Sequence, residues 1–334
     1  MIIKIMFKIF KKSFFYIILI FSTNCGTLYA ETNKDFNTWL ISYKKFALKE
    51  GISKNTIDKV FSNVKYLEQV IKYDRKQPEF FEDTRTYVKK RATASRAKTA
   101  KKLLNKNEKL LEEVENIFDV EKEILLALWG IETNFGKHVG KMDIISSLAT
   151  LSFDKRRRDF FSSQLLTLLK LVDKKLLNSE DLFGSWAGAY GNFQFMPSTI
   201  KNYAIDFDGN NKIELKKSLH DSFASAANYI NKIGWKKNTP CFVEVQLTKK
   251  INKKYINTSA RGISNRLKIS KWKDKGIIIL EEPYMKKNYL AALILPDGNL
   301  DSPAFLVFNN YEKILKWNRS LRFGISVCTL ASML

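Results

Sequence analysis

The chain has 334 residues, 45% of them hydrophobic and 27% charged, which is enough apolar material for one large domain or two small ones with a real core and excludes disorder as the main state. A formal charge of +23, or +19 once Lys4, Lys8, Lys11 and Lys12 of an amino-terminal leader are set aside, calls for an anionic partner such as nucleic acid, anionic lipid or an acidic cell-wall polymer. Three cysteines (Cys25, Cys241, Cys328) without a CxxC pair and two histidines (His138, His220) exclude a zinc centre and a disulfide-dense miniprotein.

Residues 1–30 read as an export signal. The four lysines precede an apolar run from Phe14 to Phe21, and small polar residues then lead to Leu28-Tyr29-Ala30-Glu31. That run is far short of the ~20 apolar residues needed to span a bilayer. Cleavage is expected after Ala30. Lipid attachment at Cys25 is disfavoured, because Asn24 puts a bulky amide where such signals want a small residue. The mature chain is then exported, and soluble or at most peripheral to a membrane.

From Phe36 to Lys122 apolar residues recur at helical intervals: Trp39, Tyr43 and Phe46 early, then Leu103, Leu104, Leu110, Leu111 and Val114. Pro78 breaks that period within Asp74-Arg75-Lys76-Gln77-Pro78-Glu79-Phe80. The lysine-rich stretch 89–106 reads as a solvated helix face. Residues 123–239 form a helical core interrupted by one glycine-rich loop. Over 240–310 the pattern changes to short strands at Phe242–Leu247, Gly276–Leu280, Ala291–Leu295 and Phe305–Phe308. Residues 311–334 return to helix. The expected class is α+β, mainly α: an N-terminal helical region (31–122), the core, a small β subdomain, and a C-terminal helix packing back on the core.

Within Glu123 to Gly136, Leu125, Leu128 and Trp129 stand seven, four and three positions before Glu132, so that carboxylate falls on the buried helix face. Desolvation there would raise its pKa and suit it to general acid work. A helix-end glutamate paired with a lysine is the other reading of the same residues. The loop Phe183 to Ser198 places three glycines within eight residues, with Trp186, Tyr190 and Phe193 as flat apolar surface for a sugar ring and Ser185 and Gln194 as hydrogen-bonding groups. An ordinary connection with core aromatics fits it as well.

Four blocks in order, Asp74 to Phe80, Trp129 to Gly136, Leu148 to Arg158, and Gly184 to Ser198, together with Asn309-Asn310-Tyr311 and Trp317-Asn318-Arg319-Ser320, resemble the lytic murein transglycosylases of the membrane-bound B type, in the lysozyme superfamily. The resemblance covers nearly all of the mature chain. It implies a lysozyme-like helical core and makes Glu132 the single catalytic acid/base. By the same resemblance Ser185 and Gln194 lie near the reacting sugar, Arg156 and Arg157 line a glycan groove, and Tyr87 and Tyr229 shape it. Trp317 and Phe323 stand where relatives often carry tyrosine, which implies that apolar contact is kept and a hydroxyl hydrogen bond is lost. The implied partner is the peptidoglycan glycan strand, in the periplasm, with no cofactor. Nucleic acid is set aside, since export removes it and no binding motif appears.

The loop Asp206 to Glu214 resembles the calcium loop of some relatives, with oxygen ligands at Asp206, Asp208 and Asn210. Its twelfth position is Lys217 and its sixth Asn211, so the expectation is an ordered turn without metal. Cys241 and Cys328 both flank the β region, and a bridge or two buried thiols are both open. For the second carboxylate that ordinary glycoside hydrolysis needs, only Asp143 and Asp154 are near in sequence, and neither has an apolar setting. The expected product is therefore 1,6-anhydro-N-acetylmuramic acid, with a hydrolytic muramidase and a non-catalytic wall-binding protein as the rival readings.

Overall fold

The computed structural model describes residues 32–77, 81–248, 251–279 and 289–334. The leader with Cys25, residues Pro78 to Phe80 and Leu280 lie outside them. Among the described residues no helix is long and apolar enough to cross a membrane.

The amino-terminal helices share the core of the rest. Helix α1 (residues 32–49) turns Phe36, Leu40, Tyr43 and Ala47 inward at intervals of four, three and four, while Phe46 faces solvent. The Tyr43 hydroxyl donates to the Ser162 carbonyl (2.9 Å) on α9 (Arg158–Asp173), locking the first helix to the middle of the chain. Helices α2 (Lys54–Val60), α3 (Glu68–Arg75), α4 (Thr84–Arg91), α5 (Ala94–Lys106) and α6 (Glu108–Phe118) follow. On α5, Ala97 and Ala100 are buried and Lys98, Lys101 and Lys102 are exposed, which is the solvated lysine face.

Two helices are buried on nearly every side. In α7 (Lys122–Thr133) every residue from Ile124 to Gly130 is buried, and in α8 (Ile144–Phe153) every residue from Ile144 to Ser152. A helix apolar all round belongs at the centre of a fold. Helix α8 packs on α9, and the helices α10 (Pro197–Tyr203) and α11 (Leu219–Lys232) complete this layer. After the short α12 (Ile269–Trp272) within the β region, the last two helices, α13 (Asn309–Trp317) and α14 (Leu321–Ser332), return to the helical layer, α14 lying against α7 and α4.

Two short strands inside the helical part, β1 (Met142–Asp143) and β2 (Phe183–Gly184), pair antiparallel and bring the start of the glycine-rich loop beside the segment after α7. The main sheet has six strands in the order β4-β7-β8-β3-β6, with β5 beside β7. These are β3 (Phe242–Leu247), β4 (Ile256–Asn257), β5 (Leu267–Lys268), β6 (Ile277–Ile279), β7 (Leu290–Ile294) and β8 (Ala304–Val307). The period of two decides its packing. Ala292, Ile294, Phe305 and Val307 face the helical core, while Ala291, Leu293, Leu306 and Phe308 face a second cluster with Val243, Val245, Ile269 and Trp272. Both faces are covered, so β7 and β8 read as apolar runs rather than alternations.

Two ties fasten the sheet to the helices. Asp297, after β7, accepts from the Thr84 hydroxyl (2.6 Å), the Thr84 backbone N–H and Arg322 Nη2 (2.7 Å), which joins the starts of α4 and α14. Cys241 and Cys328 form a disulfide with a Cα–Cα distance of 6.1 Å, joining the segment before β3 to α14.

Candidate active site

Glu132 occupies the last turn of α7. The helix stops there because Asn134, Phe135 and Gly136 take positive φ in succession (49°, 60° and 79°) and Asn134 N–H returns to the Gly130 carbonyl. A Cβ on Gly130 would lie 2.8 Å from the Phe135 ring, so glycine lets the reversed chain fold back on its own helix.

The glycine-rich loop is fastened to this helix end. Trp129 Nε1 donates to Asn192 Oδ1 (3.1 Å), and the Thr133 hydroxyl donates to the Asn192 carbonyl (2.8 Å). The Asn192 amide in turn donates to the carbonyls of Leu215 and Lys216 and to Ser222 Oγ. Trp129, Thr133 and Asn192 are all buried, so each polar group here has a partner, as burial demands. Sequence reading overlooked Thr133 and Asn192. The signal was available, since each is a polar residue set among apolar neighbours inside the quoted blocks.

Glu132 is half-buried, and Trp317 Nε1, at the end of α13, donates to its Oε1 at 2.9 Å. Where the expectation was the loss of a hydroxyl hydrogen bond at position 317, the indole N–H supplies a different one. The indole stacks on Tyr229 (centroids 5.1 Å, planes 29° apart) and lies near Phe195 (5.2 Å) and Phe193 (6.1 Å). Tyr203 continues the pile at 4.5 Å from Tyr229. Burial, with Tyr203 beside it, pushes the Tyr229 phenol up to about 12, so it stays protonated and donates to the Lys316 carbonyl (3.0 Å).

In the loop, the Gln194 amide nitrogen donates to the carbonyls of Val139 (3.1 Å) and Gly191 (2.9 Å), and Ser185 Oγ accepts the N–H groups of Ala187 and Ala189. Four of the aromatic residues named from sequence do not present a face. Tyr87, Tyr190, Phe193 and Phe323 are only 2%, 7%, 2% and 3% exposed. Arg91 covers the Tyr87 ring at 3.4 Å, and Tyr190 and Phe323 sit in the main core.

The two arginines part company. Arg156 gives Nε to Asp74 Oδ2 (2.7 Å) and Nη2 to the Asp74 carbonyl (2.8 Å) and Oδ1, and this charged partner pushes its pKa further up. Arg157 lies over the Phe160 and Phe161 rings (4.8 Å each), and burial lowers its pKa while Asp74 opposes the shift. Asp154 binds Arg75 through both oxygens (2.9 and 3.1 Å), and Asp143 Oδ1 caps α8 at Ser146 N–H. A cavity of about 720 Å³ between α4, β3 and α14 is lined by the disulfide, Trp235 and the start of α7. Its Ile124 is eight residues, or ~12 Å of helix, from Glu132.

Residues 35–332 match the family model of the transglycosylase SLT domain. The chain belongs to the SLT transglycosylase family. It is thereby an enzyme of the lytic transglycosylase kind. Membrane-bound lytic murein transglycosylase B of Escherichia coli K12 is 29% identical over 300 residues, covering 86% of this chain and 79% of that protein. SltB3 of Pseudomonas aeruginosa, solved in complex with NAG-anhNAM-pentapeptide, superposes with a TM-score of 0.79 at 33% identity, over 89% of this chain and 78% of that one. The Escherichia coli lytic transglycosylase Slt35, solved with calcium, gives 0.74 at 27% identity, over 90% and 92%.

In this family member Asp221, on α11, joins the carboxylates of the loop at 206–214, a residue that sequence reading missed. Carboxylate oxygens of Asp206, Asp208 and Asp221 lie within 4.8 Å of one another. They already serve the backbone: Asp206 accepts from Gly209 and Asn211, and Asp221 from Phe207 and Glu214. Lys217, at the position of a closing bidentate carboxylate, turns instead towards Asp181 (3.8 Å).

Proposed function

We propose that this transglycosylase cleaves the β-1,4 bond between N-acetylmuramic acid and N-acetylglucosamine in peptidoglycan, with Glu132 as the one acid/base and 1,6-anhydro-N-acetylmuramic acid as product. The observation that carries the reading is the setting of the carboxylates. Glu132 is held by Trp317 in an aromatic surround, whereas Asp154 is committed to Arg75 and Asp143 to a helix cap. Hydrolysis by two carboxylates needs a second acid to act as nucleophile or to activate water. With one, Glu132 protonates the glycosidic oxygen and then, as a base, takes the proton of the sugar's own 6-hydroxyl as that oxygen attacks the anomeric carbon.

The remaining residues suit substrate binding. The Gln194 carbonyl oxygen is oriented by the two bonds of its amide nitrogen and can accept the N–H of an N-acetyl group. Ser185 keeps a hydroxyl hydrogen to donate, and Trp317 and Tyr229 offer ring edges to a pyranose. The complexes of SltB3 with NAG-anhNAM-pentapeptide and NAG-NAM-pentapeptide support this substrate class. Stem-peptide carboxylates match a chain of charge +19 once the leader's four lysines are set aside from the +23 of the whole, and attraction should weaken as salt rises. Export through the leader and action in the periplasm complete the reading.

The test is mass spectrometry of fragments released from purified sacculi, with Glu132→Gln alongside. Anhydromuramyl ends from the wild type, and no lysis but retained wall binding by the variant, are expected. Reducing-end muramyl products would make the chain a hydrolase, and wall binding without lysis by the wild type would make it a binding protein.

A further inference from the structure

The bond between Trp317 and Glu132 is chemically one-sided. An indole N–H can donate and has no lone pair with which to accept. In a protonated carboxyl the carbonyl-type oxygen is the strong acceptor and the other oxygen bears the hydrogen. The oxygen that holds the indole, Oε1 at 2.9 Å, is therefore the acceptor in both charge states of Glu132. A hydroxyl in the same place could donate to one form and accept from the other, and would leave the two oxygens interchangeable.

The indole is also well fixed. It is stacked on Tyr229 and bordered by Phe195 and Phe193. The Tyr229 hydroxyl holds the carbonyl of Lys316, the residue immediately before Trp317, at 3.0 Å. Exchanging the roles of the two carboxyl oxygens would require a half-turn of the carboxyl group that breaks the N–H···O bond, or a displacement of the whole ring pile.

Resting on the function proposed above, we infer that Trp317 is a positioning residue that makes Glu132 a one-oxygen acid/base: Oε1 stays bonded to the indole, and Oε2 both delivers the proton and takes it back. The step balances. The C1–O4 bond of the glycoside breaks and O4 receives the hydrogen from Oε2. The C1–O6 bond forms, the O6 proton passes to Oε2, and the carboxyl is again protonated. The proton leaves and returns at one place, so the carboxyl need not reorient between the two halves of the reaction.

Three variants and two readouts test this on the full-length protein. Trp317→Phe keeps an aromatic ring and removes the donor. It is expected to lower kcat on soluble glycan strands by about 10- to 100-fold with KM changed less than about twofold, the mark of an interaction that acts on the chemical step. Trp317→Tyr restores a donor that can also accept, so it should recover only part of that loss. The second readout is direct. In protein labelled with ¹⁵N-tryptophan, the Trp317 Nε1–H resonance, identified by its absence in Trp317→Phe, should shift and exchange faster with solvent in Glu132→Ala. An unchanged resonance, or wild-type kcat in a folded Trp317→Phe, overturns the positioning role. Should Trp317→Phe fail to fold, the resonance, assigned through Trp317→Tyr, still decides. Lysis by Glu132→Gln would instead sink the underlying acid/base reading, so the two failures are distinguishable.

Discussion

Asp74, buried at the end of α3, holds Arg156 from α9's approach by a fork of charged hydrogen bonds, Nε to Oδ2 at 2.7 Å and Nη2 to Oδ1. Arg75 Nη1 meets the same carboxylate at 2.8 Å. An acid at the end of one helix thus organises the basic turn that opens another, 82 residues away.

Removing that acid should loosen the turn. Asp74→Ala is expected to cost ~2 kcal/mol, discounted from the 3–5 of a fully buried pair because the arginines keep contact with water. The melting temperature of a chain of this length should drop by roughly 3 °C. Arg156→Lys should recover little, since an ammonium cannot reproduce the fork. A melting point within about a degree of the wild type would contradict this account.

Gly140 and Gly51 separate backbone strain from crowding. Both have positive φ (88° and 86°), but a Cβ on Gly140 would lie 2.1 Å from the Gly184 carbonyl, whereas nothing stands within 4 Å of one on Gly51. Gly51→Ala should cost ~1–2 kcal/mol from φ alone. Gly140→Ala meets backbone that cannot swing away and should exceed ~4 kcal/mol, displacing the loop that holds Ser185. Equal denaturation midpoints for the two variants would refute the crowding argument.

The Cys241–Cys328 bridge closes a separation of 87 residues. In the chain-entropy model such a loop contributes about 4.5 kcal/mol. Reduction should therefore lower the melting temperature of a chain of this length by roughly 7 °C. Two thiols titrating in unfolded, unreduced protein would show that the bond is absent in solution.

Burial raises the phenols of Tyr43, Tyr190, Tyr229 and Tyr311 above the ordinary tyrosine value, Tyr229 to about 12. Each folded-state pKa exceeds the unfolded one near 10, so the folded chain holds protons that the unfolded chain releases. The stability from these groups is whole below pH ~10 and is lost as pH rises towards the folded values. Melting temperature should fall steadily above pH ~10, and Tyr43→Phe should make the fall shallower. A flat profile in that window would be inconsistent with buried neutral phenols.

Calcium should act weakly. Asp206, Asp208 and Asp221 converge, yet their carboxylates already accept backbone N–H groups and Lys217, at the loop's twelfth position, turns away to Asp181. Millimolar calcium is expected to raise the melting temperature by less than about 2 °C, as for a site whose dissociation constant lies near that concentration. A rise of several degrees that a chelator reverses would establish a tight site.

What the sequence determined by itself was local. The apolar spacing around Leu125, Leu128 and Trp129 put Glu132 on α7, while alternation located β3 and short apolar runs located β6, β7 and β8. The helix and the strand leave such marks within a few residues, so the local order of residues alone reveals them. The ribbon of β1 and β2 and the short β4 and β5 escaped, because two residues make no period. Only the tertiary structure decided what each side chain meets. It buried Tyr87, Tyr190 and Phe323, spent Arg156 on Asp74, and brought the Trp317 indole to Glu132 across 185 residues. A position's face on its own helix follows from a local repeat, but its partner follows from how helices far apart in the chain close-pack, and no local repeat encodes that.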